Sequence, residues 1–219
     1  PDFIFVDLAH ADTEHVLEEV EYIRCKIRDT QVLVVGNVAT LAATTRLAHA
    51  GANVVKIGIG SGSICSTRLV TGCGRPQFSA IQDCSSTGIP VIADGGLNYP
   101  GDIVKALAGG ATFVMLGRMY AGTTEASGEY ALNGQKMYRG LASKEAQEAF
   151  AGDLKPWVVP EGIQTAVAHQ GSAVDVSKYL LGALRSGMSM LGVDNIDDLQ
   201  ENAYFVRVSA ATISENNAH

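Results

Sequence analysis

Gly51-Ala52-Asn53-Val54-Val55-Lys56-Ile57-Gly58 and Gly110-Ala111-Thr112-Phe113-Val114-Met115-Leu116-Gly117 follow one pattern. In each, a helix end passes through a short turn into a strand that finishes on glycine. A run apolar on successive residues suits a parallel sheet buried on both faces. Outward from these two stretches, candidate strands at Phe3–Asp7, Val32–Gly36, Val54–Gly58, Pro90–Asp94 and Phe113–Gly117 alternate with helical patterns. The first helix carries Val16, Leu17, Val20, Ile23 and Ile27 on one face, with Glu14, Glu18, Glu21 and Arg28 elsewhere. Asp12 or Thr13 caps it, Thr40 caps the next, Gly51 ends that one, and Pro100 opens a helix that stops near Gly109-Gly110. The fold class is α/β. Five strands are fewer than the eight of a closed barrel, so the pattern leaves two architectures open: part of a (β/α)8 TIM barrel, or an open doubly wound sheet.

After Gly117 the pattern changes. Residues 130–138 read as a hairpin around the Asn133-Gly134 turn, and residues 151–161 as a flap. A helix is expected at about Val174–Gly187 and a late strand at Tyr204–Val208. The chain starts on Pro1, directly into an apolar run, which reads as a cut edge.

Composition narrows the function classes. The 219 residues are 47% hydrophobic and 18% charged, enough aliphatic material for one core. A net charge of −7 offers no field to hold a nucleic-acid backbone or an anionic membrane, so any phosphate must be held locally. No apolar run approaches the ~20 residues that span a bilayer, and the amino end lacks a basic signal region, so the expected location is cytoplasmic. Cys25, Cys65, Cys73 and Cys84 are too few and too dispersed for a disulfide scaffold or a zinc site. Cys25 is expected to pack in the core. His10, His15, His49, His169 and His219 form no triad or metal spacing.

The most informative segment is Gly58-Ile59-Gly60-Ser61-Gly62-Ser63-Ile64-Cys65-Ser66-Thr67-Arg68, leaving the end of a strand. Glycines at alternate positions let the backbone turn tightly and approach a ligand, and a hydroxyl and a thiol follow at once. Glycine alternation alone is equally a plain flexible loop. Joined to Thr71-Gly72-Cys73-Gly74-Arg75-Pro76-Gln77, the segment (residues 58–75) resembles the catalytic cysteine loop of the IMP dehydrogenase/GMP reductase family.

That resemblance runs the length of the chain and begins partway into the family's barrel, so residues 1–219 would be the later five βα units plus a C-terminal segment. It implies that Cys65 attacks purine C2, that Ser63 reaches the nucleotide phosphate, and that carbonyls of Gly60, Gly62 and Cys65 hold a monovalent cation such as potassium (K+). Ser61 replaces the family's usual Pro. Asp94-Gly95-Gly96 and Gly117-Arg118 match phosphate-binding strand ends, with Asp94 on ribose hydroxyls, although Asp-Gly-Gly is also an ordinary turn. Arg118 stands where the family has a small residue.

Tyr138-Arg139-Gly140-Leu141-Ala142-Ser143 resembles the segment that touches phosphate through Tyr138 and the purine edge through the backbone of Leu141 and Ala142. Val159-Pro160-Glu161-Gly162 matches the segment that faces the purine. In GMP reductases of the family this Glu works with the Thr two residues after the nucleophile, here Thr67. Asp7 matches a carboxylate near the nicotinamide ribose. Glu125 and Glu129 resemble a loop at the cofactor side, which the sequence does not separate from a solvated loop.

The resemblance implies an oxidoreductase on purine nucleotides. GMP reductase is favoured: NADPH, or NADH, would reduce GMP to IMP through a Cys65 adduct. The rivals are IMP dehydrogenase, oxidising IMP to XMP with NAD, and a noncatalytic nucleotide-binding fragment. Dehydrogenases of the family carry an Arg-Tyr pair on the flap about a dozen residues before the Glu, to activate water. Ala149 and Phe150 stand there. Against that, Val159-Pro160-Glu161-Gly162 and Thr123-Thr124-Glu125 read more like a dehydrogenase. The complete form is expected to be a homo-tetramer.

Overall fold

The computed structural model describes residues 1–152, 154–209 and 212. Its elements are β1 (Phe3–Asp7), α1 (Glu14–Lys26), β2 (Val32–Val38), α2 (Leu41–His49), β3 (Val54–Ile57), α3 (Thr67–Thr71), α4 (Gln77–Ser85) and β4 (Val91–Asp94). There follow α5 (Pro100–Ala108), β5 (Phe113–Met115), α6 (Arg118–Ala121), β6 (Lys136–Arg139), α7 (Lys144–Ala151), β7 (Gln164–Val167), α8 (Ala173–Met190) and α9 (Ile196–Asn202).

The strands of the main sheet lie in the order β1-β2-β3-β4-β5, all parallel. A doubly wound sheet reverses its strand order at a switch point, whereas a barrel adds each strand beside the last. The unreversed order therefore selects the arc of a barrel. The repeat seen in the sequence is a repeat in space. Gly51 (φ 107°) and Gly110 (φ 109°) both take the left-handed backbone that ends a helix. Asn53 N–H then bonds Leu33 O, and Thr112 N–H bonds Val91 O, at 2.8 and 2.9 Å.

Side chains alternate across the sheet. Leu33, Val35, Val55, Ile57, Val91 and Ala93 face the helices and are fully buried in the large core. Val34, Val54 and Ile92 form a smaller cluster on the opposite, inner face. Two residues on from Val54 and Ile92, at the carboxyl ends of their strands, that same inner face carries Lys56 and Asp94. Phe3 and Phe5 of β1 and Phe113 of β5, on the two outermost strands, remain about half exposed.

Thr13, not Asp12, caps α1, accepting from Val16 N at 3.3 Å, and Asp12 instead pairs with Arg46 at 2.5 Å. Thr40 caps α2 as expected. Cys25 is exposed, contrary to expectation, because it falls off the stripe of Val16, Leu17, Val20 and Ile23 that meets the core. The Asn133-Gly134 turn exists, with Ala131 N–H bonding Gln135 O at 2.7 Å, but it supports a single bridge, Tyr130 to Lys136. Residues Lys136–Arg139 pair antiparallel with Gln164–Val167 instead. The strand that follows the flap thus supplies the longer ladder.

Tyr204–Val208 forms no strand; Phe205 packs edge-on against Phe78 at 4.6 Å. Lys136 is buried, its ammonium bonded to the carbonyls of Thr123 (2.9 Å) and Ala126 and lying over the Tyr130 ring. Glu125 accepts from Ala173 N at 2.8 Å, so it caps the start of α8.

Candidate active site

A cleft of about 510 Å³ opens at the carboxyl ends of β1 to β4. Its walls include Asp7, Lys56, Asp94, the glycine-rich loop with Cys65 and Thr67, and the segment Gly140–Ala142 with Glu161 and Gly162. Three stretches far apart in sequence are laced together there. Ser66 N–H donates to Glu161 O at 2.8 Å, Glu161 N–H to Ala142 O at 3.0 Å, and Ile163 N–H to Ile64 O at 3.0 Å. The end of the flap is therefore a strip pinned between the cysteine loop and the Gly140–Ser143 turn.

This lacing aligns three side chains. Cys65 Sγ donates to Thr67 Oγ1 at 3.1 Å, and Thr67 Oγ1 donates to Glu161 Oε2 at 2.8 Å. The thiol is exposed to the cleft. Every donor in the line points from thiol to carboxylate, a path along which the thiol proton reaches Glu161.

The glycines exist to bring backbones together. A Cβ on Gly58 would lie 2.0 Å from Asp94 O, and one on Gly95 2.6 Å from Ser61 Oγ. Ser61 itself donates to Asp94 O at 2.9 Å, so a hydrogen bond ties the loop to β4 where proline would have stiffened it. Gln77 Nε2 braces the same corner through Ile57 O and Asp94 O.

In the same cleft, Lys56 Nζ lies 2.9 Å from Asp7 Oδ1 and 2.6 Å from Asp94 Oδ2. Asn37 Nδ2 also reaches Asp94 Oδ2, at 2.9 Å. Lys56 is almost fully buried while Asp7 and Asp94 keep access to the cleft. Sequence reading assigned roles to both carboxylates and missed the lysine between them. The available signal was a lone cation inside the apolar run Val54-Val55-Lys56-Ile57.

Not every expected residue shares this cleft. Asp7, Gly60, Gly62, Cys65, Thr67, Asp94, Gly95, Leu141, Ala142, Glu161 and Gly162 line it; Ser63, Gly96, Gly117, Arg118 and Tyr138 do not. The Tyr138 hydroxyl lies against Gly117, where a Cβ would come within 2.8 Å of it. Arg118 faces a separate cleft with Asn98, Asp175 and Tyr179. Gly62 O already accepts Cys65 N–H at 3.1 Å, leaving one lone pair for a cation. Among the described residues no cluster of three or more His, Cys, Asp or Glu could hold a metal ion. Cys84 is buried on α4, and burial pushes its thiol pKa up.

The family signature described as "IMP dehydrogenase / GMP reductase domain" matches residues 1–219. The chain belongs to the IMP dehydrogenase/GMP reductase family. Inosine-5'-monophosphate dehydrogenases of Aquifex aeolicus (strain VF5) and Escherichia coli (strain K12) are 46% and 44% identical to it. Each match takes in 100% of this chain and 47% of the relative, so the chain spans about half the length of these family members. A crystal structure of GMP reductase from Trypanosoma brucei in complex with guanosine 5'-monophosphate superposes with a TM-score of 0.91. It is 40% identical, with 100% of this chain and 47% of that one covered. The (β/α)8 reading of the fold follows from both, and no helix is long and apolar enough to cross a membrane among the described residues.

Proposed function

We propose that this chain carries the chemistry of a purine-nucleotide oxidoreductase that reduces GMP to IMP with NADPH or, in its place, NADH. The observation that carries the reading is the line Cys65–Thr67–Glu161. Sulfur adds to purine C2 while the thiol proton passes through Thr67 to Glu161. Glu161 then returns that proton, with Thr67 relaying it to the amino nitrogen on C2 in place of the sulfur, so the C2–N bond breaks and ammonia leaves, with sulfur retained on C2. That proton matters because an amide-like nitrogen anion is a poor leaving group. A reduced nicotinamide, when bound, supplies hydride to C2. Cys65 then departs as thiolate, is reprotonated, and IMP is free.

The remaining residues take supporting roles. Asp94, steered by Lys56 and Asn37, accepts ribose hydroxyls, and the backbone of Leu141, Ala142 and Gly162 meets the purine edge. Ser63, Gly95, Gly96, Gly117 and Tyr138 gather around phosphate, with Arg118 adding charge from the neighbouring cleft. Asp7 offers the oxygen not held by Lys56 to the nicotinamide ribose, and its half-exposed carboxylate suits that contact. Carbonyls of Gly60, Gly62 and Cys65 suit a weakly hydrated monovalent cation.

A second reading is IMP dehydrogenase, and the names of the curated relatives favour it. That reaction needs a base to activate water. Ala149 and Phe150 occupy the flap positions at issue on α7, and neither side chain moves a proton. The test incubates full-length protein with GMP and NADPH and follows nicotinamide absorbance, with IMP plus NAD+ in parallel. IMP formation with negligible XMP is expected. XMP production at an equal or greater rate selects the dehydrogenase, and GMP binding without turnover selects a noncatalytic fragment. Cys65→Ala should abolish turnover while nucleotide binding stays measurable.

A further inference from the structure

On α7, Gln147 lines the same cleft as Ala142 and Glu161. Its amide nitrogen donates to Ala142 O at 3.5 Å, the same carbonyl that accepts Glu161 N–H at 3.0 Å. This contact favours that orientation of the amide over the flipped one, which would set oxygen against oxygen. The oxygen that remains, Oε1, is buried and has no hydrogen-bond partner among the described residues. A buried acceptor without a protein donor is costly to leave unmet, about 1–3 kcal/mol, so a ligand N–H brought to this wall of the cleft gains a ready partner.

We infer that Gln147 Oε1 is a specificity contact that accepts an N–H from the 2-amino group of the guanine ring. The inference rests on the GMP reading above. Glu161 ends the proton path from Cys65, which places purine C2 and its amino nitrogen at this wall. An amino group has two N–H bonds. One faces the Thr67–Glu161 pair that will protonate the nitrogen, and the other is free for Gln147. Hypoxanthine has no group there, so Gln147 separates GMP from IMP by the donor that only GMP possesses: GMP gains a hydrogen bond that IMP does not.

The test measures Kd for GMP and for IMP by calorimetry, with full-length wild-type protein, Gln147→Met and Gln147→Ala, in the absence of nicotinamide. Gln147→Met should weaken GMP by about tenfold, the scale of one buried hydrogen bond, while IMP stays within about twofold or tightens. Its unliganded melting temperature should hold or rise, since an unsatisfied polar atom is removed at nearly constant volume. Gln147→Ala should shift the GMP/IMP ratio the same way. Equal weakening of both nucleotides, or no change in either, overturns the assignment and leaves the GMP reading standing. Failure of the wild type to bind GMP overturns both.

Discussion

Thr67 and Glu161 are 94 positions apart in the chain, yet the threonine hydroxyl donates to the glutamate carboxylate at 2.8 Å. The contact exists because Ser66 N–H and Glu161 O, immediately beside it, are joined at 2.8 Å by the backbone. Two side chains held by adjacent backbone bonds act as one device, and their removal should not be additive. Thr67→Val and Glu161→Gln should each lower kcat for GMP reduction by about 10²–10⁴, with nucleotide Kd little changed. The double variant should lose hardly more than the worse single one. Additive losses in that cycle would show that the two residues act separately.

Lys56 sits between Asp7 and Asp94 with its side chain only 4% exposed. Lys56→Met leaves two carboxylates facing each other without a cation. Because both carboxylates keep solvent access, the expected loss of stability is about 1–3 kcal/mol, below the range for a fully buried pair. Thermal melts should register this as a drop of several degrees. Nucleotide affinity should fall with it, since Asp94 loses the partner that aims it; a variant that melts lower but binds unchanged would limit Lys56 to a structural role.

Cys84 and Cys65 differ in surroundings, and the difference is measurable. Burial raises the Cys84 thiol pKa, whereas Cys25, Cys65 and Cys73 are exposed. In a thiol-labelling time course on folded protein, Cys84 should react last. The linkage sign follows from the raised value: stability from this group is complete below the ordinary thiol value of 9.0 and is lost as pH rises through the folded value, because the unfolded chain ionises first. Melting temperature above about pH 9 should therefore fall more steeply for wild type than for Cys84→Ala. Parallel slopes for the two proteins would contradict this.

Residues 1–219 expressed alone should not behave as a stable monomer. Among the described residues β1 and β5 each present an unpaired edge, and Phe3, Phe5 and Phe113 stand half exposed on them. Such edges recruit other strands. Size-exclusion chromatography with light scattering should find oligomers or aggregate. A monodisperse monomer with a cooperative melt would show that the open sheet is self-sufficient.

Local chemistry determined much of this protein in advance. The five parallel strands, the helices between them and the cap at Thr40 are written in periodicities of 2 and 3.6 residues and in local cap chemistry, which need no distant partner to be read, while the choice of Thr13 over Asp12 fell to the structure. Cys65 was legible because glycines, a hydroxyl and the thiol lie in one continuous loop. What the tertiary structure alone decided concerns groups that meet across the chain. The unreversed strand order separated barrel from doubly wound sheet, since periodicity says that strands are parallel but not which lie side by side. Lys56, a lone cation inside an apolar run, acquired a place in the site only when its two carboxylates arrived from β1 and β4. Lys136–Arg139 took Gln164–Val167 as partner over the nearer Tyr130 side, because the strip leading into Gln164–Val167 is itself laced to the cysteine loop at Ile64 and Ser66. Gln147 carried no sequence signal at all: an amide on an amphipathic helix is ordinary, and only its place against Ala142 in the cleft wall left its oxygen buried and without a partner among the described residues.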